Sequence, residues 1–134
     1  MTDSVKKMLC VMLLVVGMTG CTGETVGYRQ ITQEEAADLM SSNSGYIIVD
    51  VRRQDEYDAG HIPDAVLIPN ESITDERPAE LPDTSQMILI YCRSGNRSKL
   101  AAEKLSAMGY TNIYEFGGIN TWTGETVTEG SDND

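Results

Sequence analysis

The sequence predicts an α/β fold: a parallel sheet with helices covering both faces. Two nearly continuous apolar runs point to it, Tyr46-Ile47-Ile48-Val49-Asp50-Val51 and Met87-Ile88-Leu89-Ile90-Tyr91. Such runs suit strands buried on both faces of a parallel sheet. Helical segments alternate with these and with two weaker strands, which is the pattern of βαβ units. The chain has 134 residues, enough for one such domain and not for two.

The first 20 residues read as an export signal rather than as part of the fold. Lys6 and Lys7 precede an apolar run, Met8 to Val16, and the small residues Gly17, Thr19 and Gly20 follow. Basic, apolar, small is the order of a secretory signal, and the run is short for a permanent membrane span. Met18-Thr19-Gly20-Cys21 resembles the lipobox of bacterial lipoproteins, with Met where Leu is usual. That resemblance implies acylation of Cys21, loss of Cys10 with the signal, and a protein anchored in the bacterial cell envelope. A single membrane anchor or an uncleaved signal is the plainer alternative. Residues 21–28 then form the lipidated cysteine and a tether, residues 29–125 the domain, and residues 126–134 an acidic, disordered tail.

Within the domain, Thr32-Gln33-Glu34-Glu35 is a capping box that opens a helix with Ala36, Leu39 and Met40 on one face. The Ser/Asn/Gly cluster at 41–45 ends it. After the first strong strand, 53–59 is expected as a short helix stopped by Gly60, and 65–68 as a short strand closed by Pro69. Residues 70–86, polar and holding Pro78 and Pro82, read as loop. A helix is expected over 98–108, with Leu100, Ala101, Lys104, Leu105 and Met108 at helical spacing and Gly109 after it. The last strand is expected at 112–116, and Gly117-Gly118 leads to a short helix around Trp122.

The formal net charge is −11. It excludes a nucleic-acid partner, which needs a basic face to release counterions, and electrostatic docking on an anionic membrane. One histidine and no close Cys/His pair give no metal site, and no cofactor signature is present. With Cys10 removed and Cys21 acylated, Cys92 would be the one remaining thiol, with no internal disulfide possible.

Tyr91-Cys92-Arg93-Ser94-Gly95-Asn96-Arg97-Ser98 carries the chemistry. It lies between a buried strand and a helix, and ligands of open α/β sheets bind beyond the carboxyl ends of strands. A cysteine there meets the positive end of the helix dipole and free backbone amides, which favour the nucleophilic thiolate. Gly95 permits a tight turn with amides pointing inward as an anion nest. In this acidic chain the stretch holds three cations, Arg93, Arg97 and Lys99, and no acid, as an anionic substrate requires.

Cys92-Arg93-Ser94-Gly95-Asn96-Arg97-Ser98 resembles the active-site loop of single-domain rhodaneses. Asp50-Val51-Arg52, Glu56-Tyr57 and Gly60-His61-Ile62-Pro63-Asp64-Ala65 resemble their upstream signature, and Gly117-Gly118-Ile119 with Trp122 the C-terminal one. The likeness runs from about Ile31 to Trp122. It implies a rhodanese-like fold, a five-stranded, mostly parallel sheet with helices on both faces. It also implies a thiosulfate sulfurtransferase with Cys92 as nucleophile and persulfide carrier. The donor would be thiosulfate or a persulfide, and the acceptor cyanide or a cellular thiol. Arg93, Ser94, Gly95, Asn96 and Arg97 would bind the substrate, the amides cradling the charged sulfur and Arg93 and Arg97 holding the anion. No metal or cofactor is needed, and a monomer is expected. Four residues separate Cys92 from Arg97 where related cysteine phosphatases have five, which favours sulfur over a phosphoryl group. The chain departs from many relatives at Asp64 (often Gly), at Leu67 (often Asn) and in lacking a Pro after Trp122.

Each residue also has a plainer role. Cys92 could be an inert buried thiol, and Arg93 a solvated charge. His61 reads as a loop cap rather than a thiol's base, and Asp50, Arg52 and Glu56 as scaffold in which buried charges pair. Ser94 and Ser98 read as hydrogen-bonders and Trp122 as packing. The competing function is a rhodanese-like binding or persulfide-relay module without catalysis.

Overall fold

The computed structural model describes residues 27–129. Cys10, the export signal and the candidate acylation site Cys21 lie outside the described residues. Among the described residues the five strands are β1 (Arg29–Gln30), β2 (Tyr46–Asp50), β3 (Val66–Leu67), β4 (Met87–Cys92) and β5 (Ile113–Gly118). They form one sheet in the order β1-β5-β4-β2-β3, and every pairing is parallel. Among the described residues three α-helices, α1 (Gln33–Ser42), α2 (Gln54–Ala59) and α3 (Asn96–Ala107), connect and cover it. Among the described residues no helix is long and apolar enough to cross a membrane.

Strand alternation divides the core between the two faces. Ile88, Ile90 and Cys92 of β4 join Val49, Ile113 and the α3 residues Ala101, Ala102 and Leu105 on one face. Leu89 and Tyr91 join Ile48, Phe116 and Ala36 of α1 on the other, with Tyr57 of α2 packed beside them. The capping box at α1 forms as the sequence predicts. Glu35 N–H donates to Thr32 Oγ1 at 3.1 Å, and Thr32 N–H donates to Glu35 Oε1 at 3.0 Å.

Five features differ from the sequence reading or go beyond it. β1, a two-residue edge strand, carries too little pattern to be seen in the sequence. Residues 70–86 lack regular structure apart from a 3-10 turn at Asn70–Ser72, yet they bury Ile73 and Leu81 in the α3-side core. Helix α3 begins at Asn96, two residues early, because Gly95 in the left-handed conformation (φ +109°) serves as its N-cap. Its buried stripe is Ser98, Ala101, Ala102 and Leu105, and Leu100 is exposed. Alanines at the contact let the helix lie close to the sheet, so a leucine next to them on the wheel turns outward. The tail does not fray at Thr126. Val127 and His61 exchange backbone hydrogen bonds of 2.8 Å in each direction, and Glu129 N–H reaches Asp58 O at 3.2 Å.

Asp50 and Arg52 pair as expected. Arg52 Nη2 lies 2.7 Å from Asp50 Oδ2, Nε lies 3.0 Å from Oδ1, and Nη2 also donates to Gly60 O at 2.6 Å. Tyr91 accepts Ile62 N–H at 3.0 Å. Burial, with Asp50 beside it, pushes the Tyr91 hydroxyl up and keeps it neutral. Together these contacts tie the Gly60-His61-Ile62 turn to the sheet. Asp64 follows with φ +69°. Aspartate tolerates this left-handed backbone better than most residues.

Removing Arg52 would strand a fully buried Asp50 carboxylate. Arg52→Ala should cost about 3–5 kcal/mol of stability, measured by urea denaturation at neutral pH. A loss below about 1 kcal/mol would mean that the pair is not a structural keystone.

Candidate active site

Cys92 is the last residue of β4, faces α3 and is 1 % exposed. The chain must reverse from strand to helix within three residues, and Gly95 makes the turn. Its amide donates to Cys92 Sγ at 2.9 Å. The first amides of α3 have no intrahelical acceptor and gather at the same end. Cys92 Sγ also lies 3.4 Å from Ser98 Oγ, with the thiol as donor.

The wall opposite the loop is the end of β5. Register slips by one residue there: Ile90 pairs with Glu115 and Cys92 with Gly118. The bulge, at Gly117 (φ +91°), brings Gly118 against the loop. A Cβ at Gly118 would sit 2.0 Å from Arg93 O and 2.6 Å from Ser94 Cα, so only glycine fits. Asn120 N–H donates to Arg93 O at 3.2 Å, and Gln33 Nε2 of α1 holds Gly118 O at 2.7 Å.

Arg97 does not stand free. Its Nη1 and Nη2 donate to Glu56 Oε1 and Oε2 at 2.7 and 3.0 Å. Glu56 also accepts Arg53 N–H at 3.2 Å, so the N-terminus of α2 is locked to the loop. The hydrogen bond from Arg97 pulls the Glu56 carboxyl down to about 2. The Glu56 contact, with the nearby Cys92, raises Arg97 further. Glu56 therefore belongs to the site rather than only to the scaffold, and the stretch that is acid-free along the chain is not acid-free in space.

The sequence-predicted residues are brought together unevenly. Cys92 and Gly95 are buried at the centre, and Arg97 is half-buried beside them. Arg93, Ser94 and Asn96 are exposed on the outer face of the loop. His61 is buried away from the loop, stacked on Tyr57 at 3.8 Å with Nδ1 2.9 Å from Tyr57 O, which fits a structural role. Sequence reasoning missed Glu115, which is 2 % exposed. Its Oε2 accepts from Ser98 Oγ at 2.6 Å and from Gly117 N–H at 2.8 Å. The signal was present: Glu115 shares strand parity with Ile113, so the charge falls on a core-facing position. Among the described residues no group of three His, Cys, Asp or Glu side chains is placed to hold a metal ion.

Residues 32–125 match the family described as the Rhodanese-like domain. The chain belongs to that family. It is 34% identical over 97 residues to the thiosulfate sulfurtransferase GlpE of Pseudomonas syringae pv. syringae, covering 71% of this chain and 87% of that one. It is 31% identical over 101 residues to an adenylyltransferase and sulfurtransferase of Candida albicans. That match covers 70% of this chain but only 23% of the much longer relative. A rhodanese-related crystal structure from Thermoplasma volcanium superimposes with a TM-score of 0.64 at 27% identity, covering 76% of this chain and all of that one. The five-stranded parallel sheet with helices on both faces is thus a rhodanese-like fold.

Glu56→Gln tests the lock on the loop. In the unfolded chain Glu56 titrates near its ordinary 4.5, and in the fold near 2. Its stabilising contribution is therefore full above about pH 4.5 and is lost as pH falls through about 2. The substitution should cost about 1–3 kcal/mol at neutral pH. The two proteins should converge towards pH 2 in denaturant titrations. A gap that is unchanged with pH would overturn this assignment.

Proposed function

We propose that this rhodanese-like protein is a sulfurtransferase in which Cys92 carries sulfane sulfur as a persulfide. The observation that carries the reading is the Cys92 sulfur at the head of α3, 2.9 Å from the Gly95 amide, with Arg97 fixed alongside. Anionic sulfur is favoured there by backbone dipoles and a guanidinium, and the buried site limits access to small reacting atoms. The thiolate attacks the outer sulfur of thiosulfate or of a persulfide donor. The S–S bond to the remainder breaks, and sulfite or the donor thiolate leaves with the electron pair. An acceptor, cyanide or a cellular thiol, then attacks the outer sulfur and Cys92 leaves as thiolate. In this scheme the Gly95, Asn96 and Arg97 amides hold the charged sulfur. Arg97, oriented by Glu56, and Arg93 at the mouth hold the donor anion, and Ser94 and Asn96 border it.

The full chain, treated with thiosulfate, should gain the mass of one sulfur atom on the Cys92 peptide. Cyanide should reverse the gain with release of thiocyanate, and Cys92→Ser should abolish it. No gain from thiosulfate or from a persulfide donor, in a folded and reduced sample, would reject catalysis in favour of a binding module.

Export and lipid anchoring through Cys21 form part of the same proposal and rest on the order Lys6-Lys7, apolar run, Met18-Thr19-Gly20-Cys21. The sulfur chemistry would then take place at the bacterial cell envelope. Growth with an alkyne fatty acid should label the wild-type chain and leave Cys21→Ser unlabelled. Labelling that persists in Cys21→Ser would remove the anchor assignment.

A further inference from the structure

The sulfur-transfer scheme makes no use of Glu115, the acid buried behind Cys92. A carboxylate at 2 % exposure is costly unless it is well paired. Among the described residues no Lys or Arg forms an ion pair with it. Its partners are the Ser98 hydroxyl and the Gly117 amide, both neutral. Ser98 is fully buried, and its hydroxyl lies within reach of Gly95 O at 2.9 Å and Gly117 O at 3.5 Å as well as Glu115 Oε2 at 2.6 Å. The charged carboxylate is the nearest and strongest of these acceptors, and with the proton turned to it the Ser98 oxygen accepts from Cys92 Sγ. The three side chains form a continuous S–H···O–H···O chain from the nucleophile to the acid.

We propose that Glu115 is a positioning residue that, through Ser98, takes up and returns the proton of Cys92. The Sγ proton passes to Ser98 Oγ while the Ser98 proton passes to Glu115 Oε2. Cys92 becomes a thiolate, Ser98 now donates to it, and Glu115 becomes a neutral acid. The chain carries one negative charge before and after, every hydrogen bond is kept, and no external base is consumed. The Gly95 amide and the Arg97 charge favour the state with the charge on sulfur. Because the thiolate is regenerated when sulfur departs, the same proton can then return to it.

Other ionisable groups face this chain. Tyr28, ahead of β1, is pushed up by burial and then by Glu103 and Glu115, and it stays neutral. Glu103 lies further along α3. Lys99 lines the same cleft as Glu115, and Arg97 acts on Cys92. None of them bonds to Ser98, so none replaces Glu115 as the acceptor of its proton.

The proposal rests on Cys92 being the nucleophile, but its test does not need sulfur transfer. Alkylation of Cys92 by iodoacetamide is followed in the full chain by peptide mass spectrometry, from about pH 4 to about pH 10. Two groups sharing one proton titrate as a pair. The wild type should therefore rise in two steps, with a plateau while the single charge is shared. Glu115→Gln, which keeps the shape and the hydrogen-bonding oxygen, should show one step. At acidic pH its rate should fall about tenfold per pH unit where the wild type stays level. Ser98→Ala, which cuts the chain and keeps the acid, should also show one step, and it decides the matter if Glu115→Gln does not fold. A single step in the wild type overturns the proposal whatever the variants do, as does a two-step profile that survives in Glu115→Gln. Sulfur uptake with a single-step wild-type profile would reject this relay alone, and a two-step profile without sulfur uptake would reject the sulfurtransferase reading alone.

Discussion

Burial of β4 on both faces is the constraint on which the rest of this molecule depends. A strand with no wet side must hand its last residues directly to something that satisfies them. Tyr91 points to the α1 and α2 face, where its hydroxyl holds the Ile62 amide. Cys92 points to the α3 face, where its sulfur meets the Gly95 amide and the Ser98 hydroxyl. The helix after the strand must begin at once, because a longer connection would leave buried backbone groups unpaired. Gly95 meets that need by adopting a conformation closed to most other residues. The anion-favouring head of α3 thus follows from how the sheet is buried.

Three carboxylates with different partners surround this junction. Asp50 is neutralised by Arg52 two residues away and braces the turn at Gly60. Glu56 reaches from α2 to Arg97 and joins separate elements across the mouth of the site. Glu115 has, among the described residues, neutral hydrogen-bond partners, one of them the Ser98 hydroxyl that lies beside Cys92. The first two replace solvation with full charge pairing, which is the ordinary way to keep an ion in a protein interior. The third lacks that compensation and keeps a mobile proton in its chain instead.

Most of the architecture was legible because it follows from periodicity and capping. The runs at 46–51 and 87–91, the box at Thr32–Glu35 and the turn at Gly95 are local signals, and each appears where expected. What the sequence hid depends on distant partners. Ile73 and Leu81 look like loop residues until α3 lies beneath them. Val127 looks like part of a frayed tail until His61 offers it a backbone. Leu100 fits a helical stripe and is nevertheless exposed, because the stripe that matters consists of alanines. At the site, the loop from Cys92 to Ser98 was legible as a contiguous motif. The pairing of Arg97 with Glu56 joins residues 41 apart in sequence, and only the fold brings them together.

One feature of the site wall has a use in spectroscopy. The chain has a single tryptophan, Trp122, with its ring 5.7 Å from that of Phe116, which in turn lies 5.5 Å from Tyr91. Phe116 adjoins the bulge at Gly117 that presses β5 against the Cys92 loop. All indole emission from this protein therefore originates on the α1 face of the sheet, on an aromatic stack that runs back to Tyr91, the residue preceding Cys92. The molecule carries its own fluorophore, so the packing of this aromatic stack can be followed in real time without attaching a dye.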